Sequence, residues 1–263
     1  MITQNQKREF LKKGYLIIKS SKQLKKNLIE IKKELFLFSK VFNKEIKSLS
    51  DKRFYKILKK GSSSRNQYYN TIRYLYSLTE LASSKFLKKI SLQLNLKLPA
   101  VMRSYNIRMD TPHDRKHLFQ WHQDITYLLG SLNSITYWIP LTKVNKHYGS
   151  IEVIEGSHKN GLYDYKYIGR EKLIKNKKMS PKDINLKKKP NLKSVIISAN
   201  PGDIIVFSQF LLHRSTKNKS QKIRWVVQVR HSDISEDSFR NAGFPFGDVT
   251  NIFFNNYINK IKK

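Results

Sequence analysis

The sequence predicts an α+β protein of mainly β character, a jelly roll with N-terminal helices packed on one of its sheets. Residues 24–42 carry apolar side chains at steps of four and three, the spacing of a helix with one buried stripe. From about Leu98 the pattern changes to short β-branched and aromatic runs punctuated by Gly, Pro, Asn and Asp, as in an antiparallel sandwich or barrel. With 263 residues, 39% of them hydrophobic and 12% aromatic, the chain has the material for a substantial core and lies well clear of disordered compositions.

The elements follow in order. Residues 1–20 read as a short helix, then Gly14, then the strand YLIIK. Ser20, with Gln23 three positions later, reads as the N-cap of the helix whose buried stripe is Leu24, Leu28, Ile31, Leu35, Phe38 and Phe42. The polar stretch 59–70, KKGSSSRNQYYN, reads as a loop. Ser77-Leu78-Thr79-Glu80 resembles a capping box and opens a further helix with Leu81, Leu87 and Ile90 inward. Seven strand-like runs come next: PAVMRSYNIRM, WHQDITYLL, SITYWIPL, GSIEVIEGSH, SVIIS, GDIIVFSQ and RWVVQVRHS. Residues 173–193, with two prolines and many lysines, read as a solvated surface insertion. After Ser232, Gly243-Phe244-Pro245-Phe246-Gly247, Phe253, Phe254 and Tyr257 suggest a tail that packs back on the core. The expected layout is one domain over 1–263: a helical layer at 1–97, the jelly-roll core at 98–232 and the tail at 233–263.

Composition narrows the function. Lys and Arg number 52 against 19 acidic residues, a net charge of +33, which would suit anionic partners. The lysines are spread along the whole chain and do not form a stripe interleaved with aromatics, so we read the excess as compositional and expect no specific nucleic-acid partner. Cysteine is absent, which excludes disulfides and thiolate metal sites and leaves His, Asp and Glu as metal ligands. The apolar run Tyr15 to Ile18 is too short for a signal-peptide core, and no later segment approaches a membrane span, so the expected location is cytoplasmic.

The chemistry starts in WHQDITY. Residues two apart on a strand share a face, so His122 and Asp124 project together and can converge on one ion. Two ligands leave a metal under-coordinated, and His213, 91 residues on at the end of GDIIVFSQFLLH, is the best third. Two histidines and one carboxylate form a facial set that suits Fe(II) and leaves positions open for substrate and O2. Arg224 follows eleven residues later. Along its strand Arg224, Val226, Gln228 and Arg230 share one face and Trp225, Val227 and Val229 the other. With the apolar face against the helices, Arg224 points into the core, where a guanidinium needs a carboxylate. No acidic residue near it is evident in the sequence, and a dicarboxylate co-substrate would meet the need.

His122-x-Asp124, His213 and Arg224, with Trp138 and the segment GSIEVIEGSHKNG at 149–161, resemble the phytanoyl-CoA dioxygenase family of Fe(II)/2-oxoglutarate oxygenases. Phe10 to Leu16 is similar to that family's opening strand, and the resemblance spans roughly residues 8–231. It implies a cupin-like double-stranded β-helix binding Fe(II) through His122, Asp124 and His213, with 2-oxoglutarate on the metal and its far carboxylate on Arg224. Ser215 matches a position that hydrogen-bonds this co-substrate, and Trp138 and Gln123 match positions lining its pocket. Asp124 keeps the carboxylate that related halogenases lose, which implies hydroxylation of a C–H bond, using O2 and releasing succinate and CO2. At Glu155 the sequence departs from the proline usual before Gly-Ser-His.

The other histidines are assigned no ligand role. His158 reads as a turn residue, His113 and His117 as solvated loop residues, and His147 and His231 have no evident partner. Three rival readings are weaker. A basic nucleic-acid-binding protein does not account for the conjunction of His122, Asp124, His213 and Arg224; a cupin-like metalloprotein without 2-oxoglutarate leaves Arg224 unexplained; a jelly roll that has lost activity would not be expected to retain every ligand. The expected substrate is a small molecule. Arg103, Arg108, Arg230 and the 173–193 loop raise the option that it is anionic.

Overall fold

The computed structural model describes residues 2–60, 62–103, 105–115, 117–167, 181–243 and 246–248. The N-terminal part comprises α1 (Gln4–Lys13), β1 (Tyr15–Ile18), α2 (Lys22–Phe42), α3 (Lys52–Lys60), α4 (Ser62–Thr71), α5 (Tyr76–Ala82) and α6 (Lys85–Gln93). Strands follow as β2 (Pro99–Val101), β3 (Asn106–Asp110), β4 (Leu128–Leu129), β5 (Ser134–Pro140), β6 (Ile151–Ile154), β7 (Tyr165–Tyr167), β8 (Ile184–Leu186), β9 (Ser194–Ile196), β10 (Ile204–Ser208), β11 (His213–Ser215) and β12 (Arg224–Asp233). A short α7 (Asp237–Asn241) and β13 (Gly247–Asp248) close the described chain.

All strand pairs are antiparallel. The larger sheet runs β1-β10-β5-β12, and the far side of β12 pairs with β2 and β3 in succession. A smaller sheet runs β11-β6-β9. Side chains from both meet in one cluster, in which Trp138, Ile205, Phe207 and Val226 pack with Ile151 and Val153. Among the described residues, hydrogen bonds do not close the two sheets into one continuous barrel.

The outer face of the larger sheet carries the helices, with Trp225, Val227 and Val229 of β12 in one core with Leu24, Leu28, Ile31 and Leu35 of α2. Gly14 takes φ 84 as the left-handed cap of α1, and a Cβ there would lie 2.5 Å from His158. The turn from α1 into β1 is therefore restricted to glycine.

Several expectations need correction. The α2 cap is Ser21, whose hydroxyl accepts from Leu24 N; Ser20 is not the cap. The stretch read as a loop at 59–70 is helical outside Gly61, ending α3 and forming α4. Tertiary packing overrides its polar composition: Tyr68 of α4 is fully buried, stacks on Phe38 at 5.0 Å and donates to Leu35 O. The helix expected from Ser77 is two helices, with Ser84 recapping the second through Leu87 N. Ser77 does not cap but donates its hydroxyl to Glu34. Residues 173–180 of the Lys-rich insertion, and Phe253, Phe254 and Tyr257, lie outside the described residues. Among the described residues no helix is long and apolar enough to cross a membrane.

Candidate metal centre

WHQDITYLL is not the continuous strand expected. His122 forms an isolated bridge, Asp124–Thr126 make a 3-10 turn, and only Leu128–Leu129 is a strand. His122 and Asp124 nevertheless converge, because the turn folds the carboxylate back toward the imidazole; Asp124 Oδ1 lies 3.9 Å from His122 Nε2. The bridge partner of His122 is His213. Their backbones exchange two N–H to C=O bonds of 3.0 Å, and their rings lie 4.1 Å apart. His213 Nε2 is 3.5 Å from the same Asp124 oxygen. One ligand atom from each of the three residues falls within 4.8 Å of the others.

Both rings are held in the tautomer a metal requires. His122 Nδ1 donates to Gln120 O at 2.7 Å and His213 Nδ1 to Leu211 O at 3.0 Å, so each Nε2 lone pair is turned toward Asp124. Burial pushes both imidazoles below their usual range, and each adjoins other positive groups, so they are neutral and ready to ligate. For Asp124, burial raises the pKa, but the Arg230 guanidinium, together with the hydrogen bond from Thr136, more than offsets it and holds the carboxyl well below the usual carboxylate range. Its oxygens are oriented by Thr136 Oγ1 at 2.5 Å and Arg230 Nε at 3.1 Å on Oδ2, and by Tyr127 OH at 2.6 Å on Oδ1. Two neutral imidazoles and one ionised, oriented carboxylate fit a divalent iron with open positions.

The family model for phytanoyl-CoA dioxygenase (PhyH) matches residues 24–226. The chain belongs to that family. As a phytanoyl-CoA dioxygenase family member it is an Fe(II)- and 2-oxoglutarate-dependent non-haem iron enzyme, and His122, Asp124 and His213 are placed so that they could hold a metal ion. A search of the curated proteins finds no match. Solved structures with a similar fold include the apo non-heme monooxygenase ThoJ, at 12% identity over 86% of this chain and 76% of that one, TM-score 0.59. The epimerase SnoN, in complex with Fe3+, alpha ketoglutarate and nogalamycin RO, is 13% identical over 87% and 82%, TM-score 0.57. EctD from S. alaskensis, with 2-oxoglutarate and 5-hydroxyectoine, is 15% identical over 89% and 77%, TM-score 0.57.

Around the family's metal site, β12 faces as expected: Trp225 stacks on Phe54 of α3, and Arg224 is buried on the side of Val226. Its surroundings differ from expectation. An acidic residue is near it: Asp110, directly opposite on β3, accepts from Arg224 and from Arg108 together. Register across β3 and β12, which the sequence does not display, makes this pair. Arg224 Nη1 also donates to Ser150 O at 3.0 Å, and the guanidinium lies 5.6 Å from the Trp138 ring centre. Among the described residues, one N–H on each terminal nitrogen remains for another acceptor. The Ser150 hydroxyl is buried without a hydrogen-bond partner among the described residues, so unsatisfied polar groups gather at this locale.

Ser215 lies two residues beyond His213 on β11 and shares its face. Gln123 is not brought to this pocket. Its amide nitrogen donates to Gly161 O at 2.8 Å and Phe210 O at 2.6 Å, and its oxygen accepts from Tyr163 N and Tyr165 OH. Strand-like alternation turns it away from both ligands, and there it ties the neighbouring loops together. Three residues of the site were not singled out for it: Tyr127, and Thr136 and Arg230, whose contacts with Asp124 depend on the pairing of β5 with β12. His231 also gains partners, Ser91 Oγ at 2.7 Å and Ala82 O at 2.9 Å.

Proposed function

We propose that the enzyme hydroxylates a C–H bond of a small-molecule metabolite with release of succinate and CO2, on a core that we read as a double-stranded β-helix. The observation that carries this is the triad itself: two imidazoles with their Nδ1 atoms committed to carbonyls, aimed at one oriented carboxylate oxygen. When bound, iron with 2-oxoglutarate and O2 supplies the oxidising chemistry.

The chain's own residues bind, orient and exclude water. Arg224 receives the far carboxylate of 2-oxoglutarate with its remaining N–H donors, and Asp110 and Ser150 O hold the guanidinium for it. Ser215, on the His213 face, adds a hydroxyl. Trp138, with its ring centre 5.6 Å from the guanidinium, gives the co-substrate an apolar neighbour. With metal bound, Asp124 would take the position that a halide would need, which supports oxygen insertion.

Anaerobic addition of Fe(II) and 2-oxoglutarate is expected to produce the weak visible charge-transfer band of the chelate. His122→Ala should abolish it. Arg224→Ala should raise the 2-oxoglutarate concentration needed for half-saturation by about 100-fold, the range for losing a buried charge-assisted pair. A wild type without the band, or an Arg224→Ala titration identical to it, overturns the assignment; succinate release across a metabolite panel then identifies substrates.

A further inference from the structure

Beside the triad lies a cavity of about 310 Å³, at the small end of the roughly 300–1,000 Å³ typical of ligand sites. Tyr127 and Arg230, which hold Asp124, form part of its wall, as does Phe119, which packs edge-on against His122. Another part comes from α4 and the turn after it, through Arg65, Tyr69 and Arg73. The cavity therefore extends from the residues that contact the triad to the helical layer.

Its charge is one-sided. Arg65, Arg73, Arg108, Lys182 and Arg230 line it, against Asp110 as the single carboxylate among the lining residues. Asp110 is already shared by Arg108 and Arg224, and Arg230 is matched by Asp124, which a dication would also claim. Arg65 is the most telling. Its side chain is 10% exposed and donates to Met109 O at 2.6 Å. The nearest carboxylate, Asp114, stands 3.9 Å away and is held by His117 at 2.6 Å. A guanidinium buried to this degree with no carboxylate in hydrogen-bonding range is costly unless a ligand supplies the anion.

We propose that this cavity binds a compact anionic substrate, bearing a carboxylate or a phosphate ester, whose charged group is received by Arg65 and Arg73 while its body reaches past Tyr127 to the metal. The inference rests on the oxygenase reading and deepens it. Size argues the same way, because so small a cavity suits a small acid or phosphate better than a bulky conjugate. Neither positive residue touches the metal ligands in the structure, so their role is recognition.

The test uses the anaerobic protein loaded with Fe(II) and 2-oxoglutarate, titrated calorimetrically with inorganic phosphate, glycerol 3-phosphate, malonate and, as the neutral control, glycerol. Saturable binding of the phosphates or of malonate, with none of glycerol, is expected, and the better binder identifies the anion class. Arg65→Gln should weaken it by about ten-fold or more, the scale of one lost charge-assisted hydrogen bond, with Arg65→Lys restoring part. Arg73→Gln, at a half-exposed position, should weaken binding several-fold and keeps the test decisive if the Arg65 variants fail to fold. Absence of saturable binding, binding displaced by 2-oxoglutarate, or binding unchanged in the variants overturns the proposal. A wild type with no charge-transfer band overturns the parent reading; a normal band without anion binding overturns this inference alone.

Discussion

Asp124 accepts hydrogen bonds from Thr136, Tyr127 and Arg230 while facing two histidines, so its geometry is fixed by residues that never touch a metal. Partners of this kind commonly account for about 10–100-fold in metal affinity, and Tyr127→Phe should cost the lower part of that range, since it removes one bond and preserves the ring. Competition titration of the metal-free protein with Mn(II) or Co(II) measures it; affinity equal to wild type would show that Thr136 and Arg230 suffice. His122 and Asp124 could be paired in the sequence because they stand two residues apart, and His213 was joined to them by residue type; the structure brings the three together. Asp110 as the partner of Arg224 was not legible, because a cross-strand pair depends on register between segments 114 residues apart.

At the scale of elements, α4 shows where composition misleads. Its serines, arginine and asparagines read as a loop, yet the helix is anchored above all by Tyr68, which packs against Phe38, Phe42, Phe54 and Trp225. Tyr68→Ala should destabilise the fold by about 3–5 kcal/mol, the usual range for truncating a buried aromatic, measured by urea unfolding. It should also disturb Arg65, which sits one turn earlier on α4. A loss below about 1 kcal/mol, within the range of surface changes, would mean that the aromatic cluster is not what holds α4. The strands were easier to read. Alternation in RWVVQVRHS correctly assigned the helix-facing and core-facing sides of β12, whereas WHQDITYLL kept the composition of a strand while its backbone turned at Asp124.

Across the whole molecule, burial depresses the pKa of His122, His213 and His231 from the ordinary 6.5. The fold thus favours their neutral forms. Their contribution to stability is complete above about pH 6.5 and is lost as pH falls below it, because the unfolded chain takes up protons first, at up to roughly 1.4 kcal/mol per pH unit for each histidine. The melting temperature of the metal-free protein should therefore drop between pH 7 and 5. His231→Gln should shallow that slope without altering metal affinity, since among the described residues the His231 ring hydrogen-bonds to Ser91 and Ala82 and not to the triad; an unchanged slope would remove His231 from the account. The net charge of +33 places no constraint on which sheet the helices cover, and the fold was legible in spite of it. The backbone bridge between His122 and His213 has a kinetic meaning as well. Joining segments so far apart costs on the order of 4 kcal/mol of chain entropy, which is repaid only after the intervening strands are in place. The ligands are then expected to come together only once those strands have paired, so the moment at which a refolding chain first captures metal reports the closing of the bridge between His122 and His213.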